Sequence, residues 1–181
     1  MNSFIRSSIG KAIGISFACL FLLSTATAEE IPYHLFKPKG AFFTNALNDA
    51  EQEADPKAKK ILQIGREMTL DNKEIIVGGC WDYVDAVYSR AGFTRDQRKI
   101  VFKGTLRKGP YASLDDLKPG DWIYHVNHSY NRIEHSGIFV KWLDKKKAIG
   151  LLLSYRGEKS KKPARYRGYD LSNVYTITRA K

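Results

Sequence analysis

The chain has 181 residues and carries 30 Lys and Arg against 19 Asp and Glu, a formal net charge of +11. The excess of positive charge favours an anionic partner such as cell wall, lipid headgroups or nucleic acid, without choosing among them. Because no internal repeat, low-complexity tract or Pro/Gly/Ser-rich linker divides the chain, we expect one domain large enough to bury a proper core.

The N-terminal segment has the pattern of a signal peptide. Basic residues precede an apolar run at residues 13–23, which is too short to cross a bilayer comfortably. The A-x-A arrangement at residues 26–28 predicts cleavage before Glu29, which lowers the net charge from +11 to +9. We therefore expect residues 1–28 to be a signal peptide and residues 29–181 to form the exported domain, periplasmic or secreted.

The first part of this domain, residues 29–73, is predicted to be helical after an irregular start. A helical pattern runs from about Thr44 to Ala54. Asp55 and Pro56 then provide an N-cap and a first-turn proline for a second helix, which continues to about Asp71.

The remaining part, residues 74–181, is expected to hold the chemistry. Its first helix begins at Cys80 after two glycines, keeps its apolar residues on one face, and ends before Gly92. A capping box of Thr94 and Gln97 predicts a further short helix to about Phe102.

The pattern changes to strands from Leu114 onward. Strands are predicted at 121–126, 134–143, 148–155 and 174–179. The basic segment 156–167 between them is interpreted as a solvated turn and loop, since no nucleic-acid recognition motif accompanies its charge. Helices followed by strands with short links indicate an α+β fold, with helices packed on a mostly antiparallel sheet of four to six strands.

Cysteine usage singles out Cys80. Cys19 lies inside the predicted signal peptide without a convincing lipobox, so Cys80 alone remains and an intramolecular disulfide is excluded. A buried inert thiol, an intermolecular bridge or a reactive thiolate are the remaining interpretations. The first turn of a helix presents unpaired N–H groups that stabilise a thiolate, which favours a nucleophile over a core thiol.

A thiolate nucleophile needs a histidine as its proton-transfer partner. The candidates are His34, His125, His128 and His135. His135 is favoured because it opens a predicted strand, which holds a base rigidly, and His125 is next. For either residue, a hydrogen-bonded histidine without a catalytic role is the alternative.

A third polar group should orient the imidazole, and the strand that follows His135 is its natural source. Ser154, near the end of that strand, is its first uncharged polar side chain; Tyr155 and Glu158 are alternatives. No metal or cofactor is predicted, since one thiol and two histidines seven residues apart, His128 and His135, match no standard ligand spacing.

Three segments together resemble the NlpC-type papain-like cell-wall cysteine peptidases and the related CHAP amidases. These are residues 79–93 (GCWDYVDAVYSRAGF), 117–124 (LKPGDWIY) and 135–140 (HSGIFV), within a match that spans about 78 to 155. Members of this superfamily open a helix with the nucleophile, enter the sheet through a Pro-Gly-Asp turn, and carry the base in a His-x-Gly-Ile-like strand. The resemblance implies a papain-like fold.

The resemblance also implies a chemistry: Cys80 as nucleophile, His135 as base, and hydrolysis of amide bonds in peptidoglycan peptides through a thioester. The Cys80 backbone N–H would hold part of the oxyanion. This chain departs from the family in Gly79-Cys80-Trp81, where Asp-Cys-Ser is usual, and in Ser154, where the family often has His.

Alternative functions remain open. The serine at the third position also fits a catalytically weak or inactive wall-binding module of the same fold. A transglutaminase-like enzyme with Asp144 as its third member, or a lipid acyltransferase, would use the same thiol. The expected partner is peptidoglycan or another anionic envelope substrate. Nucleic acid is not expected, peripheral membrane contact is left open, and the chain is expected to be a monomer.

Overall fold

The computed structural model describes residues 40–181, with side chains from Thr44 onward. The predicted signal peptide and His34 lie outside these residues. Within them, three α-helices precede a six-stranded antiparallel sheet, which confirms the predicted α+β class. The helices are α1 (Gly40–Glu53), α2 (Pro56–Arg66) and α3 (Cys80–Arg90). No helix in this part of the chain is long and apolar enough to span a membrane.

The sheet has the strand order β1-β6-β2-β3-β4-β5. Its strands are β1 (Arg98–Lys103), β2 (Trp122–Asn127), β3 (Ile133–Asp144), β4 (Ile149–Ser154), β5 (Arg165–Asp170) and β6 (Val174–Ala180). In the centre of the sheet, β2 pairs with β3 and β3 pairs with β4, so these three strands lie side by side in chain order.

The second helix forms where its capping residues predicted it. The Asp55 carboxylate accepts hydrogen bonds from the backbone N–H groups of Lys57 and Ala58, both at 2.9 Å. Pro56 occupies the first turn, where its missing N–H costs nothing. A π-helical turn, Glu67–Asp71, extends the helix to the predicted end.

Two predicted elements are wrong. The Thr94–Gln97 capping box forms, but it starts only the 3₁₀ turn Arg95–Gln97, after which the chain becomes the edge strand β1. The last three residues of the basic segment, 165–167, open the strand β5 (Arg165–Asp170) and are not loop. In both cases pairing with a distant strand makes the segment a strand: β1 pairs with β6, and β5 pairs with the apolar strand β4.

Both faces of the sheet are covered. One face packs on the helices and holds Trp122, Ile138, Val140, Leu151, Leu153 and Tyr166. The other face holds Ile123, Phe139, Leu152, Tyr169 and Ile177, under Ala112 and Leu117 from the β1–β2 connection. Side chains alternate along a strand, and directly paired residues share a face. His125, His135 and Ser154 therefore lie on the second face, away from the helices.

The Pro-Gly-Asp turn fixes the sheet against the helices. Gly120 has φ +86°, and a Cβ there would lie 2.8 Å from the Ala58 Cβ, so only glycine fits. The buried Asp121 carboxylate accepts two hydrogen bonds from Arg179, at 2.6 and 2.7 Å. Tyr88 of α3 closes the turn, because its hydroxyl donates to the Gly120 carbonyl at 2.6 Å and accepts from Trp122 N–H at 2.9 Å.

We expect Tyr88→Phe to lower the free energy of unfolding by about 2–4 kcal/mol, because it leaves the buried Gly120 carbonyl and Trp122 N–H unpaired. Urea unfolding measures the change. Tyr130→Phe is the matched control, since Tyr130 is 60% exposed, and it should stay within about 0.5 kcal/mol of the parent. Equal stability of the two variants would show that the Tyr88 hydroxyl does not hold the turn.

Candidate active site

Cys80 is the first residue of α3 and is half-buried with a free thiol. The Asp82 carboxylate accepts a hydrogen bond from the Gly79 N–H at 2.7 Å and so closes the helix start. Gly78 has φ +104°, and a Cβ there would lie 2.2 Å from Asp82 Oδ2. Glycine at position 78 is therefore required for the turn that presents the thiol.

A groove of about 490 Å³ opens at the end of the sheet where β3 begins and β4 ends. All three residues predicted for the site, Cys80, His135 and Ser154, line it. The Gly78 carbonyl accepts the Glu158 N–H at 2.9 Å, which holds the turn before Cys80 against the loop that follows β4. Sequence-distant elements thus meet at one opening.

The structure places Ser154 directly against His135. The His135 Nε2 and the Ser154 Oγ are 2.8 Å apart, and the Ser154 Oγ is also 2.8 Å from the Tyr169 hydroxyl. Tyr169 belongs to β5, the strand that also carries Arg165. A hydrogen-bonded chain therefore leads from Tyr169 through Ser154 to His135 and leaves His135 Nδ1 as the ring nitrogen without a partner inside it.

Burial keeps both sheet histidines neutral. It lowers the pKa of His135 to about 4, and the positive charge of Arg165 lowers it further. Burial also lowers the pKa of His125 to about 3, with the neighbouring His135 contributing. At neutral pH His135 is therefore neutral, with a lone pair on one ring nitrogen.

The thiol has different neighbours from the imidazole. Burial raises the pKa of Tyr124 to about 12, and negative charge on Glu134 and Cys80 adds to the rise, so Cys80 lies near Tyr124 on the helix face. Tyr175, on the same side, donates a hydrogen bond to Glu134. His135 occupies the opposite face. Within residues 40–181, no hydrogen bond joins Cys80 to a histidine, and the two side chains meet only as walls of the groove.

Among the other candidates in the described residues, only Tyr155 also lines the groove. His128 Nε2 bonds the Asn173 side chain at 2.9 Å, and His128 does not line the groove. The Tyr155 hydroxyl donates to the Ile76 carbonyl at 2.7 Å. Asp144 is at the far end of β3, about 30 Å along the strand from His135, so the structure does not bring the transglutaminase-like third member to the site.

Among the described residues, no group of three or more His, Cys, Asp or Glu side chains is arranged to hold a metal ion.

The sequence patterns did not predict every residue of the site. Arg165 and Tyr169 belong to β5, which begins inside the segment 156–167 that the sequence predicts to be a solvated loop. Arg156, Arg165 and Arg167 of that segment line the groove. The alternation Arg-Tyr-Arg-Gly-Tyr at 165–169 was the signal available for this strand.

Comparisons with known proteins add no relative. No family model matches the chain, and no curated protein or solved structure matches it at a significant level. The similarity to NlpC-type peptidases therefore rests on the three motif segments, and the papain-like fold and the activity stay predictions.

The buried histidines predict acid sensitivity. Their pKa values of about 3 and about 4 lie below the ordinary value of 6.5, so the unfolded chain binds more protons as the pH falls below that value. We expect the free energy of unfolding to be greatest above about pH 6.5 and to fall by a few kcal/mol towards pH 4.

Urea unfolding at a series of pH values measures this loss. His125→Phe keeps a ring in the buried site and removes one titrating group, so its stability should fall less steeply with acidification. His128→Phe is the control and should keep the parent slope, since His128 is only partly buried and bonds the Asn173 side chain. Parallel curves for all three proteins would contradict the assignment to His125.

Proposed function

We propose that the protein is an exported cysteine hydrolase that cleaves amide bonds in peptidoglycan peptides, with Cys80 as nucleophile and His135 as base. One observation carries the proposal: the half-buried thiol at the start of α3 and the Ser154-bound imidazole open onto the same groove. Reactive cysteines occur at helix starts with an imidazole within reach.

The reaction begins with proton transfer from Cys80 to His135 Nδ1 through water in the groove, since the two side chains lie on different faces of the sheet. The thiolate adds to the amide carbonyl, and the Cys80 N–H at the start of α3 stabilises the oxyanion. His135 then gives the proton to the departing amine, and the C–N bond breaks to leave a thioester. Water, deprotonated by His135, hydrolyses the thioester and restores the thiol.

Ser154 and Tyr169 would position the imidazole in both protonation states. When His135 becomes cationic, Nε2–H donates to Ser154 Oγ, and the serine hydroxyl in turn donates to Tyr169. A hydroxyl is able to accept and donate at once, so serine does here what a ring nitrogen or amide does in related sites. This favours an active site despite the serine at the third position.

A second candidate is a wall-binding module of the same fold without hydrolysis. The observation that favours it is the placement of Cys80 and His135 on different faces of the sheet, with no hydrogen bond between them in the described chain. Such a protein would retain the groove and its basic rim but would release no products.

Incubation with purified peptidoglycan tests the two candidates. The enzyme should release soluble peptides with new amino and carboxyl termini, identified by mass spectrometry, and Cys80→Ala should bind the wall without releasing them. Wild-type protein that sediments with the wall and releases nothing would reject hydrolysis in favour of the binding module.

A further inference from the structure

Three arginines form one side of the groove. Arg156 follows β4, while Arg165 and Arg167 are two residues apart on β5 and face Ser154 and Leu152 across the ladder. They therefore lie on the same face as the hydrogen-bonded chain that ends at His135, and all three line the groove together with Cys80.

Two members of this cluster, Arg156 and Arg165, have no matching negative group among the described residues. The Arg165 Nε–H is buried and has no acceptor within the described chain. Arg156 forms no ion pair with any residue of the described part. Glu134 is the one acidic side chain among the described lining residues, and it is bound by Tyr175. Burial lowers the pKa of Arg165, and Arg167 and Arg156 lower it further.

Two neighbouring guanidinium groups, one of them with a buried donor that no described residue accepts, are costly unless an anion completes them. A guanidinium presents a planar fork of donors that fits the oxygens of a carboxylate or a phosphate. The groove has room for such a group, at about 490 Å³. The cluster is thus built for an oxyanion rather than for a neutral ligand.

We propose that Arg156, Arg165 and Arg167 form a subsite that binds an oxyanion of the substrate, a carboxylate or a phosphate group, beside the Cys80 thiol. The inference rests on the proposed function, since it names the group that the hydrolase recognises. It makes the substrate an anionic peptide or conjugate, with the charged group close to the bond that is cleaved.

Alkylation of Cys80 tests the subsite with two reagents of nearly equal size. Iodoacetate carries a carboxylate and iodoacetamide is neutral, so their rate ratio at constant ionic strength reports recruitment of the anion. Peptide mass spectrometry follows the modification at Cys80. We expect Arg165→Gln to lower the iodoacetate-to-iodoacetamide ratio about tenfold relative to wild type.

Two further variants control this experiment. Arg156→Gln should also lower the ratio, and because Arg156 is exposed the substitution does not threaten folding. Lys146→Gln removes the same charge at the far end of β3 and should leave the ratio unchanged. One common ratio for wild type and all three variants would overturn the subsite.

Direct binding separates the two anion sources and the two proposals. Cys80→Ala titrated with inorganic phosphate or with acetate, followed by NMR, should bind at least one of them, and adding Arg165→Gln should abolish this. Phosphate alone indicates a phosphate group, and acetate alone a carboxylate. Binding by neither overturns the subsite. If the anion binds but wild type cleaves no peptidoglycan, the hydrolase proposal fails and the subsite stands. If wild type cleaves peptidoglycan but neither anion binds, the subsite fails and the hydrolase proposal stands.

Discussion

Cys80→Ala is expected to lower kcat for peptidoglycan hydrolysis by at least about 10⁴-fold, because Cys80 is the one thiol among the described residues that line the groove. Release of soluble peptides from purified peptidoglycan measures the loss. Cys80→Ser should be almost as inactive, since a neutral imidazole activates a hydroxyl less readily than a thiol.

The fold should survive this substitution. The Cys80 thiol is half-buried and makes no hydrogen bond within the described chain, and alanine is a good helix former. We expect the free energy of unfolding to change by less than about 1 kcal/mol, so lost activity would not reflect lost structure. Undiminished hydrolysis by the folded Cys80→Ala protein would remove the nucleophile.

His135→Ala should lower kcat by about 10³-fold, the usual contribution of a positioned acid–base group. His128→Ala is the matched control, because His128 lies on the neighbouring turn, bonds Asn173 and does not line the groove. Steady-state kinetics should show full activity for this control. Equal losses in both variants would indicate a structural effect of histidine removal rather than catalysis.

Added imidazole separates a base from a positioning residue. His135→Ala leaves a space at the groove wall, so free imidazole should restore part of kcat in that variant. Ser154→Ala keeps the imidazole of His135 and loses only the 2.8 Å contact that orients it, so imidazole should not help it. Rescue of both variants alike would place the base elsewhere.

Local signals in the sequence predicted the local structure well. The Asp55 cap, the glycines before Cys80 and the Pro-Gly-Asp turn each act through neighbouring backbone groups, and each formed where expected. The strands β1 and β5 depend on partners far along the chain. Because short segments with few apolar residues gain their stability from that pairing, a single sequence gave them little signal.

The site was predictable to the same extent. Ser154 was found because β4 follows β3 directly, so the contact with His135 is a neighbour relation. Tyr169 and the arginines required β5, which was not expected. The sequence also does not predict the face on which His135 lies. Residues 138–140 are apolar on both faces of β3, because both faces are covered, and such a strand does not reveal which face meets the helices.

The acyl-enzyme is the most direct test of the central claim, that Cys80 attacks the substrate carbonyl. Acid quenching during turnover, followed by mass spectrometry of the Cys80 peptide, should show an added mass equal to the acyl part of the substrate. The adduct should disappear on treatment with hydroxylamine and be absent from Cys80→Ala. Product formation with no adduct on Cys80, at the same rate in Cys80→Ala, would contradict the account.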